Sequence, residues 1–252
     1  MTQLDLALEA EVSTRHLSFV ESGRARPSRE MVLHLAERLE VPLRERNLLL
    51  VSAGFAPVFQ ERTLQDPALD PARGAIDRIL KGHEPYPCLA VDRHWTMVAA
   101  NAAVTALVAG AEPSLLQPPV NVLRLSLHPK GLSRRIANLP EWRAHLLDRL
   151  RRQVELSADP VLMQLLDELK TYPGDGTGRR TAAPRADLAG VVVPLQLDTG
   201  AGPLSLLSTT TVFGTPLDIT LSELALECFY PADAATARLL HGLAERRDRC
   251  QD

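Results

Sequence analysis

Val12-Ser13-Thr14-Arg15-His16-Leu17-Ser18-Phe19-Val20-Glu21-Ser22-Gly23 is the stretch from which the fold of this chain reads outward. Ser13 suits an N-cap, because its hydroxyl can accept from an orphan backbone N–H one turn on. Gly23 suits a stop, because glycine tolerates the left-handed conformation that closes a helix. At about 100° per residue, Leu17 and Val20 share one face, and Arg15, Ser18, Phe19 and Ser22 take the other. Just upstream, Thr2 to Ala10 reads as another short helix, with Thr2 as N-cap and Asp5 at N3, close to a capping box. Two short helices joined by a tight turn, the second presenting Arg and Ser outward, form a helix-turn-helix pattern.

Downstream, Pro27 breaks the chain and Ser28 can cap a helix over 29–40, with Met31, Val32, Leu35, Ala36 and Leu39 at helical spacing. Pro42 opens a further helix that Gly54 ends. Residues 1–55 thus form a small all-helical unit. Residues 56–71 are Pro-spaced and aperiodic and read as a linker, with turn signals at Asp66-Pro67 and Asp70-Pro71. After a helix over 72–81 the texture changes. Cys88 to Val91 and Trp95 to Val98 read as short strands around an Asp92-Arg93-His94 turn, and Asn101 can cap a helix through Val108. Helices are expected over 140–157 and, capped by Asp159, to Lys170. A mobile loop is expected over 172–187, then strands over 190–197 and 204–213. Residues 218–229 fit either strand or helix, and a final helix runs over 231–249. The expected class is α+β: an all-α unit at 1–55, a linker at 56–71 and an α+β domain over 72–252.

Net charge is −3, and residues 1–56 hold seven Lys or Arg against eight Asp or Glu. DNA contact must therefore come from local placement rather than from a basic field. The three cysteines, Cys88, Cys228 and Cys250, are widely spaced and odd in number. That speaks against a disulfide framework or a zinc site and for a reducing, cytoplasmic setting. No signal peptide or membrane-spanning run is visible.

The N-terminal unit resembles that of the xenobiotic-response-element class of bacterial regulators, through Thr2-Gln3, Leu6-Ala7, Ser13-Thr14, Glu21-Ser22-Gly23, Arg26-Pro27-Ser28 and Leu35-Ala36. In that family a helix precedes the Thr-Gln pair; here the chain starts at Met1-Thr2-Gln3, so the first helix is expected to be missing. The resemblance implies DNA contacts by Gln3, Thr14, Arg15, Ser18 and Phe19. Arg15 could take a guanine edge bidentately, Gln3 and Thr14 could hold phosphates, and Phe19 could meet a thymine methyl or pack within the protein. Arg24 and Arg26 are either phosphate contacts or solvated charges.

The rest of the chain resembles a PAS-like, MmyB-like ligand-binding domain, through Val91-Asp92-Arg93-His94-Trp95, Asn101-Ala102-Ala103, Asn121-Val122-Leu123-Arg124, His128-Pro129, Trp142 with Leu150-Arg151, and Leu217-Asp218. This implies a cavity of about 300–1,000 Å³ for an apolar, fatty-acid-like ligand. Asn101, Arg124, His128 and Trp142 are the candidate lining residues, with Arg124 or His128 facing a carboxylate. Against this stand a cap role for Asn101, a core role for Trp142 and a surface role for Arg124. No HExxH, GxSxG or P-loop is present, and Gly174-Asp175-Gly176-Thr177-Gly178 follows no strand–helix boundary. No catalytic residue, metal or cofactor is expected. The sequence thus points to a cytoplasmic transcriptional regulator, a homodimer binding double-stranded DNA at a palindromic site and sensing a small apolar molecule. The alternatives are a ligand-binding or dimerisation protein with an impaired DNA-binding unit, and an enzyme on a PAS-like scaffold.

Overall fold

The computed structural model describes residues 2–174 and 192–249. The expected loop from residue 175 on, most of the Gly-rich run and Cys250 lie outside the described residues. Two units are distinguished: residues 1–70 with 213–223, and residues 71–212 with 224–252.

The first unit is helical. α1 (Gln3–Glu9) begins in a full capping box, the Thr2 hydroxyl accepting from Asp5 N at 3.2 Å and Asp5 Oδ2 accepting from Thr2 N at 2.8 Å. The Thr2 backbone N–H foremost, with the Thr2 side chain assisting, holds the Asp5 carboxyl below its usual pKa. Glu11 takes the left-handed conformation (φ 52°) in the turn to α2 (Thr14–Glu21), which Ser13 caps through His16 N. α3 (Arg29–Arg38) and α4 (Leu43–Ser52) follow, and Pro42 stands at the N-cap of α4. A His34 ring nitrogen on α3 meets the Ala10 carbonyl at the end of α1.

The Pro-spaced stretch after α4 is tied down rather than free. Asn47 on α4 donates to Phe59 O and accepts from Val58 N and Phe59 N. Gln60 bridges Asp218, Ile219 N donates to Gln60 O at 2.9 Å, and Arg62 Nη1 donates to Asp218 Oδ2 at 2.9 Å. Both expected turn signals act as helix starts: Asp66 caps a 3-10 turn over Pro67–Leu69, and Asp70 opens α5 (Asp70–Gly82).

The second unit holds an antiparallel five-stranded sheet in the order β2-β1-β5-β4-β3. Its strands are β1 (Cys88–Val91), β2 (Met97–Ala100), β3 (Leu195–Thr199), β4 (Gly202–Val212) and β5 (Ala225–Pro231). The helices are α5, which enters this unit at Pro71, α6 (Ala103–Val108), α7 (Val122–Leu127), α8 (Leu139–Ser157), α9 (Pro160–Thr171) and α11 (Ala234–Asp248). Between β4 and β5 lies α10 (Ile219–Ser222), which belongs to the first unit. The ambiguous segment 218–229 therefore holds both a short helix and a strand. The α+β class holds, with the core built on leucine: Leu127, Leu150, Leu169, Leu197 and Leu206 are essentially sealed from solvent.

The strand register brings two of the cysteines together, and one expectation, the cap role of Asn101, changes. Cys88 and Cys228, 140 residues apart, are direct partners across β1 and β5, with Sγ atoms 3.1 Å apart. Phe229 N donates to Pro87 O, which makes the cysteines a pair without mutual backbone bonds, the closer kind of cross-strand pair. Both are free thiols, and burial, aided by Cys228, pushes the Cys88 pKa up. Asn101 is not the cap of α6, whose N-cap is Ala102. It is buried instead, accepting from Cys88 N at 3.1 Å and donating to Leu80 O and Tyr86 O.

Candidate ligand cavity and DNA-facing helix

In the first unit α2 has one buried and one exposed side. Leu17 is buried, Val20 and Phe19 are half-buried, and Thr14, Arg15 and Ser18 are exposed. The Arg15 guanidinium lies over the Phe19 ring, 5.4 Å from its centroid. That stacking restrains the long side chain while leaving its N–H donors outward. Gln3 donates to Glu21 Oε2, so in this state it joins α1 to α2. Gly23 (φ 71°) closes α2, and Arg24 and Arg26 are exposed in the loop that follows.

The second unit holds an apolar, partly open cavity of about 90 Å³ between its sheet and helices α6, α7 and α8. It falls below the expected range because Leu89, Leu107, Leu123, Leu146, Met97 and Phe229 reach into it from all sides. Trp95 and Trp142, the two tryptophans of the chain, both line it. Trp95 sits in a left-handed backbone conformation (φ 65°) that is costly for an aromatic residue. The turn is over-determined: Asp92 Oδ1 accepts from His94 N and Thr96 N, and Trp95 O accepts from Val122 N. Gln153 Oε1 accepts from the Trp95 indole at 2.8 Å, and Ser126 Oγ from the Trp142 indole at 3.0 Å.

The polar groups at the cavity are not those the sequence pointed to. Arg149 on α8 donates from Nη2 to Glu227 Oε1 at 2.7 Å and from Nη1 to Glu227 Oε2 at 3.2 Å. Its guanidinium lies 4.5 Å from the Trp95 ring centroid. Glu227 on β5 is buried. His145 is the neighbouring titratable group, and burial, with Arg149 and Arg152, lowers its pKa and favours the neutral ring.

Of the four residues expected to line the cavity, Trp142 does so and three stand elsewhere. Asn101 ties backbone together, as described above. Arg124 pairs bidentately with Glu168 of α9 at 2.7 Å in both bonds. His128 accepts from Lys130 N and stacks edge-on against Tyr172. The expected carboxylate receptor is thus not assembled at the cavity. Arg149 and Glu227 escaped sequence reading because they are 78 residues apart and the strand holding Glu227 had no decisive period. Their one visible signal is an Arg on the inward side of the helix expected over 140–157.

Among the described residues no group of three or more His, Cys, Asp or Glu could hold a metal ion, and no helix is long and apolar enough to cross a membrane.

Residues 72–243 match the family model of the MmyB-like transcription regulator ligand binding domain, and residues 1–46 match a helix-turn-helix model. No curated protein matches the chain. Among solved structures, an RNA-binding light-oxygen-voltage receptor is 14% identical over 96% of this chain and 57% of its own, with a TM-score of 0.26. The chain spans just over half the length of that receptor. With two thirds of its length in the first match, the chain belongs to the MmyB-like transcription regulators, carrying a helix-turn-helix DNA-binding unit ahead of a ligand-binding domain.

Proposed function

We propose that occupancy of the Trp95–Trp142 cavity by a small, largely apolar molecule sets the affinity of α2 for an operator. The observation that supports this most is the path of the chain. Ser208 of β4 and Glu227 and Phe229 of β5 line the cavity, and the segment joining those strands, residues 213–223, belongs to the helix-turn-helix unit. There it is held by a charged clasp. Arg44 on α4 forks onto Glu223 at 2.7 and 2.9 Å and also binds Glu61, and these bonds, to Glu223 foremost, raise the Arg44 pKa. A ligand that shifts β4 against β5 pulls on a segment anchored beside α4. Signalling then needs no diffusing contact, only a difference in ligand affinity between two placements of that segment.

Arg15, Thr14 and Ser18 are the proposed base- and phosphate-reading side chains, with Arg24 and Arg26 on flanking phosphates. Such units bind two half-sites as dimers, so a homodimer on a palindromic operator is part of the proposal. The fatty-acid version has no support from the cavity, where no unpaired cation awaits a carboxylate among the described residues.

The test begins with an operator selected from random DNA by the purified full chain. A compound that alters tryptophan fluorescence by entering the cavity should change operator affinity severalfold. Glu223→Gln should retain both single binding events and lose the coupling between them. Full coupling in Glu223→Gln would remove the 213–223 route, and a cavity ligand with no effect on operator affinity would remove the sensing role.

A further inference from the structure

The polar end of the cavity is a closed charge pair, and this restricts what can enter. Arg149 has five N–H donors. One on Nη1 and one on Nη2 go to the Glu227 carboxylate, and Nη2 also donates to Thr210 Oγ1 at 2.8 Å. Thr210 Oγ1 in turn donates to Glu227 Oε1 at 3.1 Å. The guanidinium face is covered by the Trp95 ring. The Glu227 side chain is only 7% exposed. A ligand carboxylate drawn to Arg149 would lie beside a second, buried carboxylate in a low-dielectric site, where like charges repel strongly. An ammonium ligand would meet Arg149 in the same way.

Neutral hydrogen-bonding capacity, by contrast, is free. The His145 ring makes no hydrogen bond among the described residues and favours its neutral form, so it can donate or accept. Ser126 Oγ accepts from Trp142 and still has its own hydrogen to give. Ser208 also lines the wall. Everything else at the cavity that matters for fit is hydrocarbon or indole. Its volume of about 90 Å³ is smaller than the roughly 150 Å³ of an engineered apolar cavity that admits benzene.

Resting on the reading of this cavity as the sensing site, we infer that its ligand is a compact neutral amphiphile, a small alcohol or carbonyl compound, and that the Arg149–Glu227 pair excludes carboxylic acids. Affinity comes from the apolar body, and the head group is selected by His145 and Ser126, with Glu227 acting as the charge that turns anions away.

The experiment uses the full chain and two matched pairs of probes smaller than benzene, as the cavity volume requires, 1-propanol against propanoate and acetone against acetate. Both tryptophans line the cavity, so their fluorescence reports occupancy, and calorimetry gives the constants. The neutral member of each pair should bind about tenfold or more tightly than its carboxylate. In Glu227→Gln, which leaves the guanidinium without its counter-ion, the carboxylates should gain about tenfold and the preference should close or reverse. Carboxylates binding as tightly as the neutral probes to the unaltered chain would overturn the ligand class while leaving the sensing role standing. Binding of none of the four would overturn both. An undiminished preference in folded Glu227→Gln would remove Glu227 as its cause. If Glu227→Gln does not fold, the comparison on the unaltered chain decides the ligand class alone.

Discussion

The two units of this chain solve the problem of holding helices together in opposite ways. In the first, the buried apolar side chains are few and often small: Ala7, Ala10, Leu17, Val32, Ala36, Leu50 and Leu69, joined by Ile219. Leu4, Leu8 and Leu48 are more than half exposed. Capping hydroxyls, the Asn47 clamp and the Arg44 and Arg62 ion pairs supply much of its specific contact. In the second, a continuous leucine core fills the space between sheet and helices, and polar groups are confined to its edge. The difference teaches where each unit should be vulnerable. A small unit buries a lower fraction of its surface and has less reserve. It should yield to the loss of one polar clasp, whereas the larger unit should yield to a hole in its core.

The largest effect is expected from the core. Leu150 is fully sealed, so Leu150→Ala should cost about 3–5 kcal/mol through lost transfer energy and a cavity. Urea denaturation followed by tryptophan fluorescence reads this directly, because both tryptophans lie in the second unit. A cost below that of surface substitutions would mean the core is less closely packed than its burial implies. Next comes the clasp. Arg44→Ala takes a partner from half-buried Glu223 and from exposed Glu61 and should cost the first unit about 2–3 kcal/mol. Hydrogen exchange should then rise in α1 to α4 and in 213–223 while α8 stays protected. Equal loss of protection in α8 would erase the contrast between the units.

Arg15→Ala should leave stability alone and weaken binding to a selected operator by about 1–3 kcal/mol. Affinity for random DNA should barely change; an equal loss on both would reassign Arg15 to a phosphate. The smallest effect is expected at Arg124, whose pair with Glu168 is more than a third exposed on both sides and is worth about 1 kcal/mol or less. The Arg124 guanidinium holds the Glu168 carboxyl below its ordinary value of 4.5, with burial opposing and the Tyr172 hydroxyl assisting. A depressed carboxylate pKa stabilises above the unfolded value and stops doing so as pH falls through the folded one. The deficit of Arg124→Ala should therefore be present at neutral pH and vanish well below the carboxylate range, as urea midpoints at several pH values will show.

Local patterns carried most of the secondary structure. Ser13, Ser28 and Asp159 cap helices as their positions suggested, and β1 lies at the expected residues. What escaped depends on distant partners. Asn101 sits where a cap would sit, yet three backbone groups from outside the helix claim its amide. Cys88 and Cys228 meet only because β1 and β5 pair in one register. Arg124 stood out by belonging to a quotable motif, while Arg149, one of several arginines on a long helix, became a cavity residue only once Glu227 and Trp95 were placed around it. Sequence spacing reports neighbours along the chain, and a binding site is made of neighbours across it.

The inserted segment 213–223 bears on how such regulators can be recombined. The reading order of the chain is not the order of its parts: a piece of the helix-turn-helix unit is encoded inside the ligand-binding half. A hybrid made by joining a foreign DNA-reading unit at residue 71 would import Asp218 and Glu223 without the arginines they were fitted to. Any exchange of specificities therefore has to move as a matched set, with Arg44 and Arg62 travelling alongside the acidic residues they hold.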